Sequence, residues 1–127
     1  MSDLIPQQML PMARFRHPNS WQVLDVAGAS PQNDEVAITG VASKHVVLGY
    51  MIISNNGAGP LTLSINWESG SPWCKLIIPA GGVTLSNFVG IEPVSETANK
   101  DLEIDCTSTE TIAASITCGW WSVPEVT

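Results

Sequence analysis

Few residues of this chain are of the types that carry out chemistry, and their spacing forms no familiar catalytic site. The cysteines and histidines are Cys74, Cys106, Cys118, His17 and His45. An odd number of widely spaced cysteines, without a Cys-x-x-Cys pair, argues against a disulfide framework and a zinc knuckle. The sequence also lacks the nucleophile elbow G-x-S-x-G, a phosphate-binding loop, a dinucleotide fingerprint and H-E-x-x-H. We therefore predict a protein that is not an enzyme and has no catalytic residues, no metal ligands and no cofactor.

Two of the cysteines leave a structural alternative open. Cys106 and Cys118 lie on consecutive predicted strands, both on rows that face inward. A disulfide across these strands would require the two Cα atoms to lie about 4.4–6.8 Å apart. We favour two reduced core thiols, because the chain is expected to fold in a reducing cytoplasm. Thiols buried in apolar surroundings are also poor nucleophiles.

A row of acids is the other chemically suggestive pattern. Asp101, Glu103 and Asp105 alternate along a predicted strand, so they share its outward face. Carboxylates are ligands for cations such as calcium. However, successive residues on one face of a strand are about 6.5–7 Å apart, which is too far for all three to bind one ion. The row therefore favours a solvated acidic edge that discourages aggregation between strands.

The elements that must position these residues are strands. Residues 44–89 contain four apolar runs of strand length, separated by the turn sequences NNGAGP, ESGSP and PAGG. Further strands are predicted at 21–28, 35–41, 102–107 and 112–123. About eight short strands without an ordinary helix predict an all-β protein. We expect a single-domain antiparallel β-sandwich, jelly-roll-like, over residues 21–127.

The strand over residues 44–54 is apolar on both predicted faces. Strict alternation places Val46, Leu48, Tyr50 and Ile52 on one face and Val47, Gly49, Met51 and Ile53 on the other. Such a strand is either central and covered on both sides by its own chain, or covered on one side by a neighbour. If the protein acts in an assembly, we predict that Val47, Met51 and Ile53 form a subunit contact.

The five tryptophans divide into two groups. Trp67 and Trp120 fall on predicted inward rows and are expected in the core, whereas Trp21, Trp73 and Trp121 are predicted to point outward. An outward tryptophan can be covered by its own loops, contact another protein chain or stack on a sugar ring. We expect contact with another chain, since tryptophan is enriched at interfaces.

Residues 1–20 are interpreted as an extended N-terminal arm. Pro6, Pro11 and Pro18 interrupt any helix there. The arm is nevertheless rich in large apolar side chains: Leu4, Ile5, Met9, Leu10, Met12 and Phe15. We predict that the arm lies on a neighbouring subunit or another partner. The alternatives are an arm packed on its own domain or a frayed terminus.

Charge and hydropathy narrow the range of partners. Charged residues make up 13% of the 127 residues, about half the usual share, and the net charge is −7. A surface with few charges suits a protein covered by copies of itself or by a partner. No basic patch is present, so we expect no direct contact with nucleic acid. No apolar run reaches transmembrane length and no secretory signal is evident, so we expect no membrane contact and folding in a cytoplasm.

The sequence resembles a family of viral structural proteins. Over residues 36–123, the segments HVVLGYMIISNNGAGPLTLSINWESGS, LIIPAGGVTL and LEIDCTS…IAASITCGWWSV are similar to small jelly-roll proteins of tailed bacteriophages. Members include head-decoration (cement) proteins and head-fibre or tail-tip modules, and they are commonly trimeric. The resemblance implies a virion protein assembled in the host cytoplasm, a homotrimer that binds the major capsid protein or another virion protein. The alternative is a receptor- or glycan-binding module of a tail or fibre.

Overall fold

Eight strands form the regular structure of residues 18–88 and 93–125, the part of the chain that the computed structural model describes. The strands are β1 (Ser20–Gly28), β2 (Gln32–Ile38), β3 (Lys44–Asn55), β4 (Leu61–Trp67), β5 (Cys74–Ile78), β6 (Val83–Asn87), β7 (Leu102–Ser108) and β8 (Ile112–Pro124). Within these residues, no helix is long and apolar enough to cross a membrane. The apolar residues of the predicted arm, from Leu4 to Phe15, lie outside the described residues.

The strands form two four-stranded sheets that enclose one core. Sheet A has the order β1-β8-β3-β6 and sheet B the order β2-β7-β4-β5. All neighbouring strands are antiparallel. The chain crosses between the sheets after β1, β2, β3, β5, β6 and β7, and this order is that of a jelly roll. The prediction of an all-β, antiparallel sandwich is therefore confirmed.

The core is built from the strands whose sequences alternate most regularly. In β4, β7 and β8 every second residue is apolar, and a one-residue slip would turn the whole apolar row to solvent, so the register is strongly specified. These rows are almost completely buried between the sheets: Leu61, Leu63, Ile65, Leu102, Ile104, Cys106, Ile112, Ala114, Ile116 and Cys118.

A β-bulge in β3 corrects the predicted alternation. Leu48 pairs with Trp120 and Tyr50 pairs with Gly119, which leaves Gly49 as an extra residue. A Cβ added at Gly49 would lie 3.0 Å from the side chains of both Pro18 and Trp121, so this position has no room for a larger residue without rearrangement.

The bulge changes which residues of β3 enter the core. Val46 and Leu48 point inward before it, and Met51 and Ile53 point inward after it. The prediction that Met51 and Ile53 form a subunit contact is therefore wrong, because both are fully buried in the core. Val47 lies on the outer side, but it is also buried and forms a bridge with Val94. The chain itself therefore covers the outer side of β3 at Val47, whereas Ile52 on the same side is 37% exposed.

The two core thiols lie in different sheets. Cys106 is on β7 in sheet B and Cys118 is on β8 in sheet A, so these two consecutive strands do not pair with each other. Both are free thiols, as the sequence favoured, and burial raises the pKa of each to about 12. Cys74 is half-buried and free, and burial raises its thiol pKa as well.

The predicted acidic edge is not at an edge. β7 lies between β2 and β4, so its outward acids face neighbouring strands. The Asp101 carboxylate accepts a hydrogen bond from the Gly40 backbone N–H at 2.6 Å, and Asp105 accepts one from the Asp34 N–H at 2.7 Å. These carboxylates therefore satisfy backbone donors at each end of β2. Among the described residues, no group of three acids, cysteines or histidines could hold a metal ion.

One buried side chain, that of Asn55, joins the turn after β3 to the turn after β5. The Asn55 Nδ2 group at the end of β3 donates to the backbone carbonyls of Gly59, Ile78 and Pro79 at 3.0–3.2 Å. Its Oδ1 accepts from the Gly57 N–H at 3.0 Å. The NNGAGP and PAGG turns, which are distant in sequence, are thus held by one amide.

Replacing this amide by a carboxylate tests its importance. We expect Asn55→Asp to lower the free energy of unfolding by about 2–4 kcal/mol, because a buried charge would face three carbonyl oxygens without a donor. Denaturant unfolding at pH 7 measures the change. Asn56→Asp, at the exposed neighbouring residue, is the matched control and should change stability by no more than about 0.5 kcal/mol. Equal effects of the two substitutions would contradict this role.

The carboxyl of Glu103 on β7 should make the stability of the fold depend on pH. Burial raises the pKa of its carboxyl, a hydrogen bond from Asn66 opposes the rise, and the charges of Asp34, Glu68 and Asp101 add to it. The folded protein therefore binds this proton more tightly than the unfolded chain, so ionisation of Glu103 lowers stability as the pH rises above the unfolded pKa.

We accordingly expect Glu103→Gln to raise the free energy of unfolding at pH 7, by less than about 1 kcal/mol because the group is largely solvated. The gain should vanish at about pH 3.5, where the wild-type carboxyl is protonated in both states. Urea unfolding at both pH values measures this. Glu110→Gln, in the exposed turn after β7, controls for the change in net charge. A gain that persists at low pH would contradict the explanation.

Candidate interaction surface

The outward face of sheet A exposes large apolar side chains in rows that cross all four strands. In the first row, Trp21 on β1 lies opposite Gly119 on β8, which lies opposite Tyr50 on β3. The Trp21 and Tyr50 rings stack with their centroids 6.4 Å apart and an interplanar angle of 16°. A Cβ at Gly119 would lie 2.6 Å from the Trp21 ring. Gly119 therefore permits the indole to lie across β8 and meet the tyrosine.

The second and third rows continue this apolar surface. Val23, Thr117, Ile52 and Leu85 lie side by side across the sheet. Val83 follows in the next row, beside Ser54. We call the set Trp21, Val23, Tyr50, Ile52, Val83 and Leu85 the outer patch.

The outer patch is unusually open to solvent for an apolar surface. The exposed fractions are 55% for Trp21, 61% for Val23, 37% for Ile52, 68% for Val83 and 64% for Leu85. Along the described strands of sheet A, the outward rows that contain the patch include one charged side chain, Asp25. Monomeric soluble proteins rarely expose contiguous apolar patches of this kind, which mark interaction sites.

The strand β6 explains why sequence reasoning missed most of this patch. Val83 and Leu85 alternate with Thr84 and Ser86, a pattern that on its own predicts the apolar row inside. The pairing with β3 decides otherwise, because Thr84 lies beside the inward Ile53 and Leu85 beside the outward Ile52. Ile52 could have indicated the patch from the sequence. However, strict alternation along β3 placed it on the same face as Leu48, and the bulge at Gly49 reverses this.

The predicted outward tryptophans have three different environments. Trp21 is exposed in the outer patch, as predicted. Trp121 is on the outer side of β8 but only 4% exposed, so its own chain covers it and it is not available for a contact. Trp73 is 36% exposed and lies outside the patch, in the connection between β4 and β5.

Trp73 lines a cleft between two loops at the end of sheet B. The cleft has a volume of about 590 Å³ and lies between the β4–β5 connection and residues 96–100 before β7. We call it the loop-end cleft, and its lining residues are Trp67, Glu68, Ser69, Gly70, Ser71, Trp73, Glu96, Thr97 and Lys100. Trp67 was predicted to point into the core, and it both packs against the core and lines this cleft.

The ring of His45 at the start of β3 holds a neighbouring loop. The Nδ1 atom of His45 lies 2.7 Å from the Ser95 carbonyl oxygen, so the imidazole N–H donates to the backbone. This contact, with the Ser95 N–H donating to the Val46 carbonyl at 3.1 Å, holds residues 93–95 beside β3. His17 lies outside the described residues.

The fold and the patch together define a jelly-roll β-sandwich with one open apolar face. No protein-family model matches the chain, and no curated protein matches it significantly. Among solved structures it is similar to the crystal structure of PirA, with 13% sequence identity and a TM-score of 0.48, over 79% of this chain and 94% of that chain. A similarity of this degree carries no argument about function, which rests on the surfaces described above.

Gly119 allows a direct test of how the outer patch is built. We expect Gly119→Ala to lower the free energy of unfolding by about 1–3 kcal/mol, because the new methyl group displaces the Trp21 ring from Tyr50. Chemical unfolding measures the loss, and near-ultraviolet circular dichroism reports the aromatic pair. Ser115→Ala, on the same outward row of β8, should leave both signals unchanged. An unaltered aromatic signal in Gly119→Ala would contradict the packing described.

Proposed function

We propose that this protein is a non-enzymatic virion structural protein that decorates and stabilises a bacteriophage head. The observation that carries the proposal is the outer patch, an apolar and nearly uncharged sheet face on a protein with few charged residues elsewhere. Burying such a face against another protein is favourable, because apolar area is removed from water at a gain of about 25 cal/mol per Å². The resemblance of residues 36–123 to small phage jelly-roll proteins supports a virion as the setting.

The composition of the patch suits a specific protein contact. Trp21 and Tyr50 are of the residue types enriched at the energetic centres of interfaces, and their stacking pre-orders both rings before binding. Val23, Ile52, Val83 and Leu85 surround the pair with rigid side chains that lose little conformational entropy on burial. In the proposed function, the patch contacts another copy in a homotrimer, and the trimer binds the major capsid protein or another virion protein.

The N-terminal arm has a defined place in this proposal. Pro18 lies over Gly49 on the outward side of sheet A, so the chain enters β1 from the side that carries the outer patch. Six large apolar side chains of the arm precede Pro18 in the sequence. In the proposed function, the arm reaches over a neighbouring subunit and adds to the apolar area buried between chains.

A charge placed in the outer patch tests the proposal. We expect wild-type protein to form trimers in solution, measured by light scattering after size exclusion, and to bind purified phage heads. Leu85→Lys should abolish both, because a lysine ammonium would be buried at the contact without a partner. Ile77→Lys is the matched control, since Ile77 is 70% exposed on the outward side of sheet B. Retention of trimers and head binding by Leu85→Lys would overturn the role of the patch.

The position of the protein on particles tests the setting separately. We expect immunogold labelling and quantitative mass spectrometry of purified virions to find many copies distributed over the head. A few copies confined to the tail would contradict head decoration and would favour a receptor-binding module of a tail or fibre.

A further inference from the structure

The loop-end cleft has the features of a small-molecule site that the proposed structural role does not use. It shares no residue with the outer patch and belongs to the loops at one end of sheet B. Its volume of about 590 Å³ lies within the range of ordinary ligand pockets. Aromatic and polar side chains both line it, which is the composition expected of a site that binds an amphipathic ligand.

Two indoles form the apolar wall of the cleft. The Trp67 and Trp73 rings have centroids 6.3 Å apart and an interplanar angle of 25°. The edge contact between Trp73 and Phe88, with centroids 5.9 Å apart, fixes Trp73 from a second direction. Both members of this stacked pair line the cleft and give it an aromatic side, which suits a ligand with an apolar face.

The remaining lining groups can both donate and accept hydrogen bonds. Ser69, Ser71 and Thr97 supply hydroxyls, Glu96 a carboxylate and Lys100 an ammonium group. Among the described residues, the side chains of these five form no hydrogen bond or ion pair with another protein group. They are therefore available to the hydroxyls of a ligand.

Backbone hydrogen bonds hold the two loops in place. The Glu68 N–H donates to the Asp101 carbonyl at 2.9 Å, and the Asp101 N–H donates to the Glu68 carboxylate at 3.2 Å. The Trp73 N–H donates to the Ile65 carbonyl at 2.9 Å, and the Asn99 N–H donates to the Lys44 carbonyl at 3.0 Å. A cleft whose walls are already ordered loses little conformational entropy when a ligand binds.

The charges select against anionic ligands. Two carboxylates, Glu68 and Glu96, line the cleft with one ammonium group, Lys100. Their excess of negative charge disfavours an acidic sugar or a phosphate. A single stacked pair of indoles also does not form the aromatic cage that encloses a quaternary ammonium ion.

We propose that the loop-end cleft binds a neutral pyranose sugar. The sugar's C–H face packs on the wall formed by Trp67 and Trp73, and its hydroxyls exchange hydrogen bonds with Glu96, Thr97 and Lys100. No covalent step is involved, so the site is one of recognition and not of catalysis. The inference does not depend on the outer patch or on the position of the protein in a virion.

Saturation-transfer NMR with defined sugars tests the site. The probes are methyl β-D-galactopyranoside and methyl β-D-glucopyranoside, with N-acetylneuraminic acid and choline as the acidic and cationic comparisons. We expect saturation transfer to the ring C–H protons of at least one neutral glycoside, and none to the two charged probes. No transfer to either neutral glycoside at millimolar concentration would overturn the proposal, as would preferential binding of a charged probe.

Variants locate the bound sugar within the molecule. We expect Trp73→Ala to weaken binding at least about tenfold, because an aromatic anchor is lost. Glu96→Ala should also weaken binding severalfold. Because Glu96 is exposed and its side chain has no structural contact, this variant should fold normally, so it tests the site even if Trp73→Ala misfolds. Trp21→Ala, in the outer patch, should leave sugar binding unchanged. Loss of binding in Trp21→Ala with retention in Trp73→Ala would place the sugar elsewhere and overturn the assignment.

The same variants separate this inference from the proposed function. Trp73→Ala should retain trimers and head binding, whereas Leu85→Lys should retain sugar binding as a monomer. Failure of one surface therefore does not imply failure of the other.

Discussion

The hydrogen bonds of the Asn55 amide are the interaction on which the arrangement of the two sheets most depends. A sandwich brings together turns that are far apart in the chain, and their backbone groups must find partners away from water. Asn55 is the last residue of β3 in sheet A. Its Nδ2 group donates to the carbonyls of Ile78 and Pro79, where β5 of sheet B ends. Backbone contacts reinforce it, since the Asn55 N–H donates to Gly82 and its carbonyl accepts from Gly81. The turn before β4 and the turn before β6 are therefore built around one side chain.

The bulge at Gly49 is the second constraint, and it acts on both faces of sheet A. By adding one residue, it directs Leu48 and Met51 into the same core and turns Tyr50 and Ile52 outward. The core receives Met51 and Ile53 instead of Tyr50 and Ile52, and the outward face receives the residues that join Trp21 and Leu85 into one patch. The absence of side chains at Gly49 and Gly119 also lets Pro18 and Trp21 approach the sheet closely. The open apolar surface is thus a consequence of local backbone geometry.

The sequence predicted the fold class because the alternation in β4, β7 and β8 is local and strong. Each of these strands has one continuous apolar row, and burial of this row decides the orientation of the strand. The directions of β3 and β6 could not be predicted in this way. The orientation of β3 depends on an insertion of one residue, and that of Val83 and Leu85 on the partner strand. Likewise, Cys106 and Cys118 lie on the consecutive strands β7 and β8, but the crossover after β7 places them in different sheets.

For the candidate surfaces, the sequence identified single residues and not their grouping. Trp21 and Trp73 were predicted to point outward and are exposed. Trp121 was also predicted to point outward from the alternation of its strand, but its own chain covers it. The cleft requires Glu96, Thr97 and Lys100 to meet Trp73 through a loop that shows no periodic pattern. Because the cleft shares no residue with the outer patch, the proposed trimer, held together by its patches and bound to a particle, would present three clefts at once. Many such trimers would present the clefts in an array. Weak binding at each site would then combine into avid attachment to a surface that carries many sugars.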